Sequence, residues 1–436
     1  MFRDGSPAIA PAGVEVARAG SVYVVGYRSS PHAQDYRDFL DRNGVAHEWI
    51  DVEHDPLARF LGAPSDVEGV RLPVFLFPDG TRVEPVADDD EELSFARTRA
   101  ELAERVGLPA RPSLDLYDVA IAGAGPAGLT AALYAASEGL STVVVERQAP
   151  GGQAGTSARI ENYPGFPNGL SGQELAGAAH EQALRFGAEI VLGSDIASGG
   201  LDEDGAVIFG LVNGSVVRGR AAIGATGFDY RRLDAEGLDD FLGVGVYYGA
   251  SPSDVLYHRG GDVFIVGGAN SAGQAALHLA AHARSVTLLV RGETLEEQMS
   301  QYLVDRCADD NCITVRTDTR IVRASGDGKL ERIVVESGGV EEELPADALF
   351  ILIGGAPATS SCPYAIARDP QGFVITGSDL GDLWKLERPP MALESSQPGF
   401  FFAGDARLGS VKRVASAVGE GAMAVQHVHR FLAGLR

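Results

Sequence analysis

Residues 115–146 read DLYDVAIAGAGPAGLTAALYAASEGLSTVVVE. The stretch from Leu116 to Ala122, apolar but for Asp118, has the length and composition of a buried strand. Gly123-Ala-Gly125-Pro126-Ala-Gly128 follows at once and opens an alanine-rich helix. Ser141–Val145 is a second β-branched run, and Glu146 ends it, 18 residues after Gly128. Strand, glycine turn, helix and strand, with an acid closing the second strand, form a dinucleotide-binding unit. The glycines allow a tight turn and a close backbone approach to pyrophosphate, Pro126 belongs to the same cofactor-binding turn, and the helix N-terminus receives the anion. The acid takes the ribose hydroxyls.

The rest of the chain narrows the class. Its 436 residues are 45% apolar and leave room for two to three domains at roughly 150 residues each. The formal charge is −24, and Lys329, Lys385 and Lys412 are the only lysines. So acidic a surface repels nucleic acid and anionic membranes. Residues 119–137 run for 19 positions without a charge, but the glycines and proline inside make them strand, turn and helix instead of a membrane span. Cys307, Cys312 and Cys362 are an odd set with no two-residue spacing. They support neither a disulfide framework nor a thiolate metal cage, and they fit a reducing, cytoplasmic setting. No metal site is expected.

Residues 1–20 read as a disordered lead. Residues 21–108 follow a βαβ…ββα order: SVYVVGY, DYRDFLDRNG, HEWIDVE, a helix around 56–62, LPVFLFP, TRVEPV and a helix ending near Gly107. PARPS at 109–113 is a linker by its two prolines. A second strand–glycine–helix–strand unit runs from Asp262 through DVFIVGG, ANSAGQAALHLAAHA and SVTLLVRG. Two such units predict an α/β protein with two doubly wound domains behind the N-terminal one.

At this point the residues resemble a known family, the low-molecular-weight thioredoxin reductases. Pro150-Gly-Gly152-Gln153 and Glu161-Asn162-Tyr163-Pro-Gly look like the family's flavin-contacting loops. Ala225-Thr226-Gly227 looks like its strand end returning to the flavin, and Phe402-Ala-Gly404-Asp405 like its C-terminal motif, whose aspartate binds the ribityl chain. Arg413-Val414-Ala415-Ser416 looks like the helix start that faces the flavin pyrimidine. The resemblance covers about 115–436. It implies bound FAD, reduction by NADPH and a homodimer. It also implies a discontinuous FAD domain (115–230 and 346–436) with a nicotinamide domain (231–345) inserted. The N-terminal domain, 21–108, resembles a glutaredoxin or thioredoxin fold, with Pro73 at the place of the family's cis proline.

The resemblance also marks departures. In the second turn, Gly267-Gly268-Ala269-Asn270-Ser271, the second motif glycine is Ala269 and the expected acid is Asn270. Arg291 ends the following strand, where an arginine favours the 2′-phosphate of NADP, with Glu293 close by. NADPH, NADH and no productive nicotinamide binding all remain open. Where the family carries Cys-Ala-Thr-Cys-Asp, this chain has Ala250-Ser-Pro-Ser253-Asp254. The N-terminal Cys-Pro-Tyr-Cys is likewise Ser30-Pro-His-Ala33. A serine hydroxyl does not cycle between dithiol and disulfide. Asp254 survives as a candidate proton donor or as a helix cap. Three functions follow as expectations: an NADPH oxidoreductase with a non-disulfide acceptor, a flavin oxidase or dehydrogenase of a specialised metabolite, and a flavin-binding redox sensor or docking protein.

Overall fold

The computed structural model describes residues 21–27, 31–52, 72–88, 90–157, 160, 163–231, 233–241, 245–250, 258–360 and 366–434. The expectations at 1–20, 56–62, Asn162, Ser251–Asp254 and Cys362 lie outside the described residues.

The first unit is a four-stranded sheet of β1 (Val22–Gly26), β2 (His47–Asp51), β3 (Val74–Leu76) and β4 (Arg82–Val83), in the order β2-β1-β3-β4. β1 pairs β2 in parallel across helix α1 (Pro31–Arg42); β1–β3 and β3–β4 are antiparallel. The Leu72–Pro73 peptide is cis. Helix α2 (Glu91–Arg105) starts at Asp90, whose carboxylate accepts from the Leu93 amide at 3.0 Å, a side-chain N-cap. Tyr36, Phe39, Leu40, Phe75 and Leu102 fill the small core.

The second unit is built on β5 (Tyr117–Ala122), helix α3 (Pro126–Ser137) and β6 (Thr142–Glu146). Helices α4 (Gly152–Gly155) and α5 (Gly172–Arg185), then β7 (Glu189–Leu192), β8 (Ile196–Leu201), β9 (Val207–Leu211) and β10 (Val216–Gly224), complete the first pass. The seven-stranded mixed sheet runs β7-β6-β5-β10-β9-β8, and a returning strand at Phe400–Phe402 pairs in parallel with β10. β5 is buried along its length among Val119, Ile121, Val144 and Ile223, as a strand covered on both faces should be.

β11 (Phe228–Tyr230) leads into the third unit: β12 (Val246–Tyr248), β13 (Asp262–Val266), helix α6 (Asn270–Ala280), β14 (Ser285–Leu289), helix α7 (Gln301–Asp309) and β15 (Ile313–Arg316). A three-stranded sheet of β16 (Thr319–Ser325), β17 (Arg332–Ser337) and β18 (Val340–Pro345) follows, then β19 (Ala348–Ile351). The five-stranded sheet has the order β12-β19-β13-β14-β15. This corrects the expected boundary: β19 was assigned with the FAD unit from residue 346, but it lies between β12 and β13. The chain crosses back only afterwards, where β20 (Gly355–Pro357) pairs β11.

The C-terminal strand β21 is Phe400–Phe402, and helix α8 (Val414–Gly434) lies across α3. Gly421 makes that crossing close, since a Cβ there would stand 2.2 Å from the Ala127 carbonyl oxygen. No helix among the described residues is long and apolar enough to cross a membrane.

Candidate functional site

β5, β6, β10 and β21 run parallel, so Ala122, Glu146, Gly224 and Phe402 end at one edge of the sheet. Ligands of open α/β sheets sit outside such carboxyl ends. The sequence-expected residues of the first site converge there. Gly123 has φ +98°, and a Cβ on it would lie 2.4 Å from the Ala225 carbonyl oxygen. A Cβ on Gly128 would stand 1.9 Å from the Gly123 oxygen. Only Gly152 Cα, at 4.0 Å, stands before Gly125, so the front of the turn is an open cradle. Helix α3 begins there with Gly125 as N-cap, no side-chain cap, Pro126 in its first turn and no acid in that turn. Those N-terminal amides suit an anion.

Glu146 is buried beside the turn and receives the Ala124 amide at 2.7 Å on one oxygen and the Gln148 amide at 2.8 Å on the other. Each oxygen keeps a further lone pair for a hydroxyl. The Gly151 amide donates to the Ala124 oxygen at 2.7 Å, tying the 150–153 loop to the turn. Gln153 Nε2 donates to the Phe228 oxygen at 3.0 Å, which directs this side chain across the loop. The Thr226 hydroxyl is buried with no partner among the described residues, and Gly227 takes φ +66° beside it. A buried orphan hydroxyl is costly unless a ligand completes it.

Just past β21, Gly404 has φ +76°, lies against the first turn of α3, where a Cβ on it would be 3.2 Å from that of Ala127, and donates its amide to Glu420 at 2.7 Å. Glu420 also pairs with Arg407 at 2.5 Å. Burial pushes the neighbouring Asp405 carboxyl above the usual carboxylate range, against the pull of Lys412. Lys412 sits 4.1 Å from the centre of the Phe228 ring and 4.9 Å from that of Phe373. Two residues on, Val414 and Ala415 start α8, again with no acid in the first turn.

The second turn has the same build at the end of β13. Gly267 (φ +150°) lies so close to β19's exit that a Cβ would be 2.5 Å from the Leu352 oxygen, and one on Gly268 would be 3.0 Å from Val290 Cγ1. Ala269 caps α6 with extended backbone, φ −101° and ψ 179°, which any residue adopts. Asn270 turns its carboxamide oxygen to the Ser300 amide at 2.7 Å, so that side chain braces the α6–α7 connection. Ser271 and Arg291 are exposed.

Neither cysteine among the described residues is disulfide-bonded. Burial drives the Cys307 thiol up to about 11 and also raises Cys312. Both are poor thiolates. No cluster of metal-ligating side chains occurs among the described residues. Sequence reasoning missed Glu420 and Arg42. Glu420 lies on a helix whose start was read, and its spacing from Gly404 was the available signal. Arg42 donates to the oxygens of Ala149 and Gly152 from a different unit, which no local pattern encodes.

Residues 117–421 match the family model described as pyridine nucleotide-disulphide oxidoreductase. The chain belongs to this family. A thioredoxin reductase of Listeria monocytogenes is 33% identical over 325 residues, 74% of this chain and 95% of that protein. The crystal structure of T. acidophilum thioredoxin reductase superposes with a TM-score of 0.66 at 26% identity, covering 74% of this chain and all (100%) of that one. That of Lactococcus lactis gives 0.64 at 28% identity, over 73% of this chain and 99% of its own. The chain is therefore a thioredoxin reductase-like flavin oxidoreductase, and residues 1–116 fall outside the family match. Relatives of this type bind FAD and NADPH. The open front of Gly125, the unpartnered Thr226 hydroxyl and the acid-free starts of α3 and α8 fit the first of these.

Proposed function

We propose that this chain is an FAD-dependent oxidoreductase that takes electrons from NADPH and delivers them to an acceptor other than a protein disulfide. The observation that carries the reading is the cysteine inventory. Cys307, Cys312 and Cys362 are the only cysteines, no two are spaced as a Cys-x-x-Cys pair, and Ala250-Ser-Pro-Ser253-Asp254 stands where the resemblance puts the family's redox motif. Bound FAD supplies two-electron chemistry, accepting hydride at its ring and releasing electrons to a second partner.

The chain's own residues do the holding. Gly123, Gly125 and Gly128 bring the α3 amides to the pyrophosphate, with Gly152 and Gln153 over them. Glu146 takes the adenosine ribose. Thr226 and Asp405 serve the middle of the cofactor, and the Val414–Ala415 end of α8 favours negative charge on the reduced ring. On the NADPH side, Gly267, Gly268, Ser271 and the start of α6 receive phosphates, and exposed Arg291 receives the 2′-phosphate. Asn270 contributes by fixing the helix to Ser300.

The β2-β1-β3-β4 sheet with a parallel β1–β2 pair supports reading the N-terminal unit as thioredoxin-like, without the paired thiols. A second reading, an oxidase or dehydrogenase of a small metabolite, rests on Ala269, whose methyl group narrows the nucleotide approach. Anaerobic titration of the FAD-loaded protein with NADPH decides between them. Stoichiometric bleaching of the flavin supports the first reading; an unchanged spectrum overturns it, and turnover with a small metabolite then favours the second over a flavin-binding redox sensor.

A further inference from the structure

We infer that the N-terminal unit is a built-in support of the flavin pocket, and that Arg42 at the end of α1 is a positioning residue for the dinucleotide turn. This rests on the FAD reading above for its consequence in binding and on the contacts between units for its mechanism.

The two units are joined as one packed body. Leu108 packs against both hydrophobic cores. Gly193, at the β7–β8 turn with φ +73°, lies so close to α1 and α2 that a Cβ would be 2.5 Å from that of Ala103 and 3.1 Å from the Phe39 ring. The Leu192 amide donates to the Pro109 oxygen at 2.8 Å, and Asn213 Nδ2 to the Ala110 oxygen at 2.9 Å. Arg99 is 5% exposed and is held by Asp195 and, at 3.0 Å, by the Gln148 side-chain oxygen. Replacing Asp195 alone would leave the Arg99 charge buried without that partner, so the pairing is costly to break within the docked joint.

Within this joint, one end of α1 grips the flavin loop. Arg42 Nη2 donates to the Gly152 oxygen at 3.2 Å and the Ala149 oxygen at 3.4 Å. Asn43 Nδ2 donates to the Gln148 oxygen at 2.8 Å, and Gln148 Nε2 returns a bond to the Asp35 oxygen at 3.1 Å. The gripped residues bear directly on the dinucleotide turn. Gly151 bonds Ala124, and a Cβ on Gly152 would be 3.0 Å from Gly125 Cα. The path from α1 to the pyrophosphate glycine is therefore Arg42, Gly152, Gly125. A guanidinium at the C-terminal end of a helix is also favoured by the helix dipole.

The polarity matters for the unit's role. α1 has 12 residues, about 18 Å of helix. Its grip on the loop is at Arg42, so its first residue, Pro31 in the thiol-less Ser30–Ala33 stretch, lies at the far end. The contacts to Ala149 and Gly152 thus come from the C-terminal end of α1, while Gln148 reaches back to the backbone of Asp35 in its second turn.

The test compares Arg42→Ala, Arg42→Lys and Arg97→Ala in the full chain. Arg97 pairs with Asp88 on the N-terminal unit's own surface and is the control. In the apoprotein, hydrogen exchange of the Gly151 and Gly155 amides is expected to quicken at least fivefold in Arg42→Ala, with α1 and β1 protected as before. FAD is expected to bind about tenfold more weakly, the loss of a charge-assisted pair of bonds at a largely buried side chain. Arg42→Lys recovers part of both effects and Arg97→Ala shows neither. Loop exchange within twofold of the unmutated chain overturns the inference, as does a speeding shared equally by α1 and β1, which would make Arg42 a mere fastener of its own unit. A wild-type chain that takes up no FAD overturns the functional reading instead, and the apoprotein exchange still decides this one.

Discussion

Replacing Gly128 with alanine adds one methyl group where the structure has no room for it. The new Cβ would start 1.9 Å from the Gly123 oxygen and 3.0 Å from its carbon, both backbone atoms of the glycine turn. Non-bonded heavy atoms settle near roughly 3.5 Å, so turn and helix must part by more than about 1 Å. Neither can move freely. Ala131 and Ala132 of α3 are fully buried, and α8 already touches Ala127 at Gly421. Overpacking of this kind costs about 3 kcal/mol, the upper end of the usual range, because the atoms struck are backbone. In a unit of this size that lowers Tm by roughly 6–12 °C. The same displacement takes the α3 amides off the pyrophosphate, so FAD affinity falls by about a hundredfold. Gly177→Ala is the matched control. It sits in α5 with nothing within 4 Å of the added carbon, and it raises stability by about 0.5–1 kcal/mol. Melting curves of the apoproteins and equilibrium dialysis with FAD read both effects. A Gly128→Ala protein that melts and binds like the unmutated chain refutes the reasoning about the turn.

Arg291→Ala should reduce the preference for NADPH over NADH about tenfold, since its contact is charge-assisted but exposed; steady-state kinetics with both nucleotides measure it. Asp405 is an acid whose folded pKa is raised by burial, so it favours the folded apoprotein when protonated and opposes it as pH climbs through the unfolded and then the folded value. Asp405→Asn should thus stabilise the apoprotein at pH 7, with the advantage shrinking toward acid pH in urea melts, while weakening FAD binding. Cys307 should resist thiol reagents in the native protein and react only on unfolding, because burial holds it protonated; Cys307→Ser should leave flavin reduction by NADPH unchanged.

The two strand–turn–helix–strand units were legible because each is local. The largely apolar runs at 116–122 and 262–266, their glycines and the next strand all fall within about thirty residues, as βαβ units do. β19 was misplaced for the opposite reason. Ala348–Ile351 is a short buried strand that suits either sheet, and only long-range pairing with β12 and β13 assigns it. The first site's glycines, Glu146 and Asp405 announced themselves through motif spacing. Asn270, at the place of the family's acid, accepts from the Ser300 amide thirty positions away, a pairing that no local pattern announces. Arg42 and Asn43 touch the flavin loop across more than a hundred residues of chain, so no periodicity in the sequence could point to them.

The claim that this flavoprotein delivers its electrons to an acceptor other than a protein disulfide is tested by one comparison. The FAD-loaded chain and its Cys307→Ser, Cys312→Ser, Cys362→Ser triple variant are each mixed anaerobically with NADPH, followed by a protein disulfide substrate. The account predicts that NADPH bleaches the flavin in both and that the disulfide restores neither. Sustained, flavin-dependent disulfide reduction by the triple variant would contradict it.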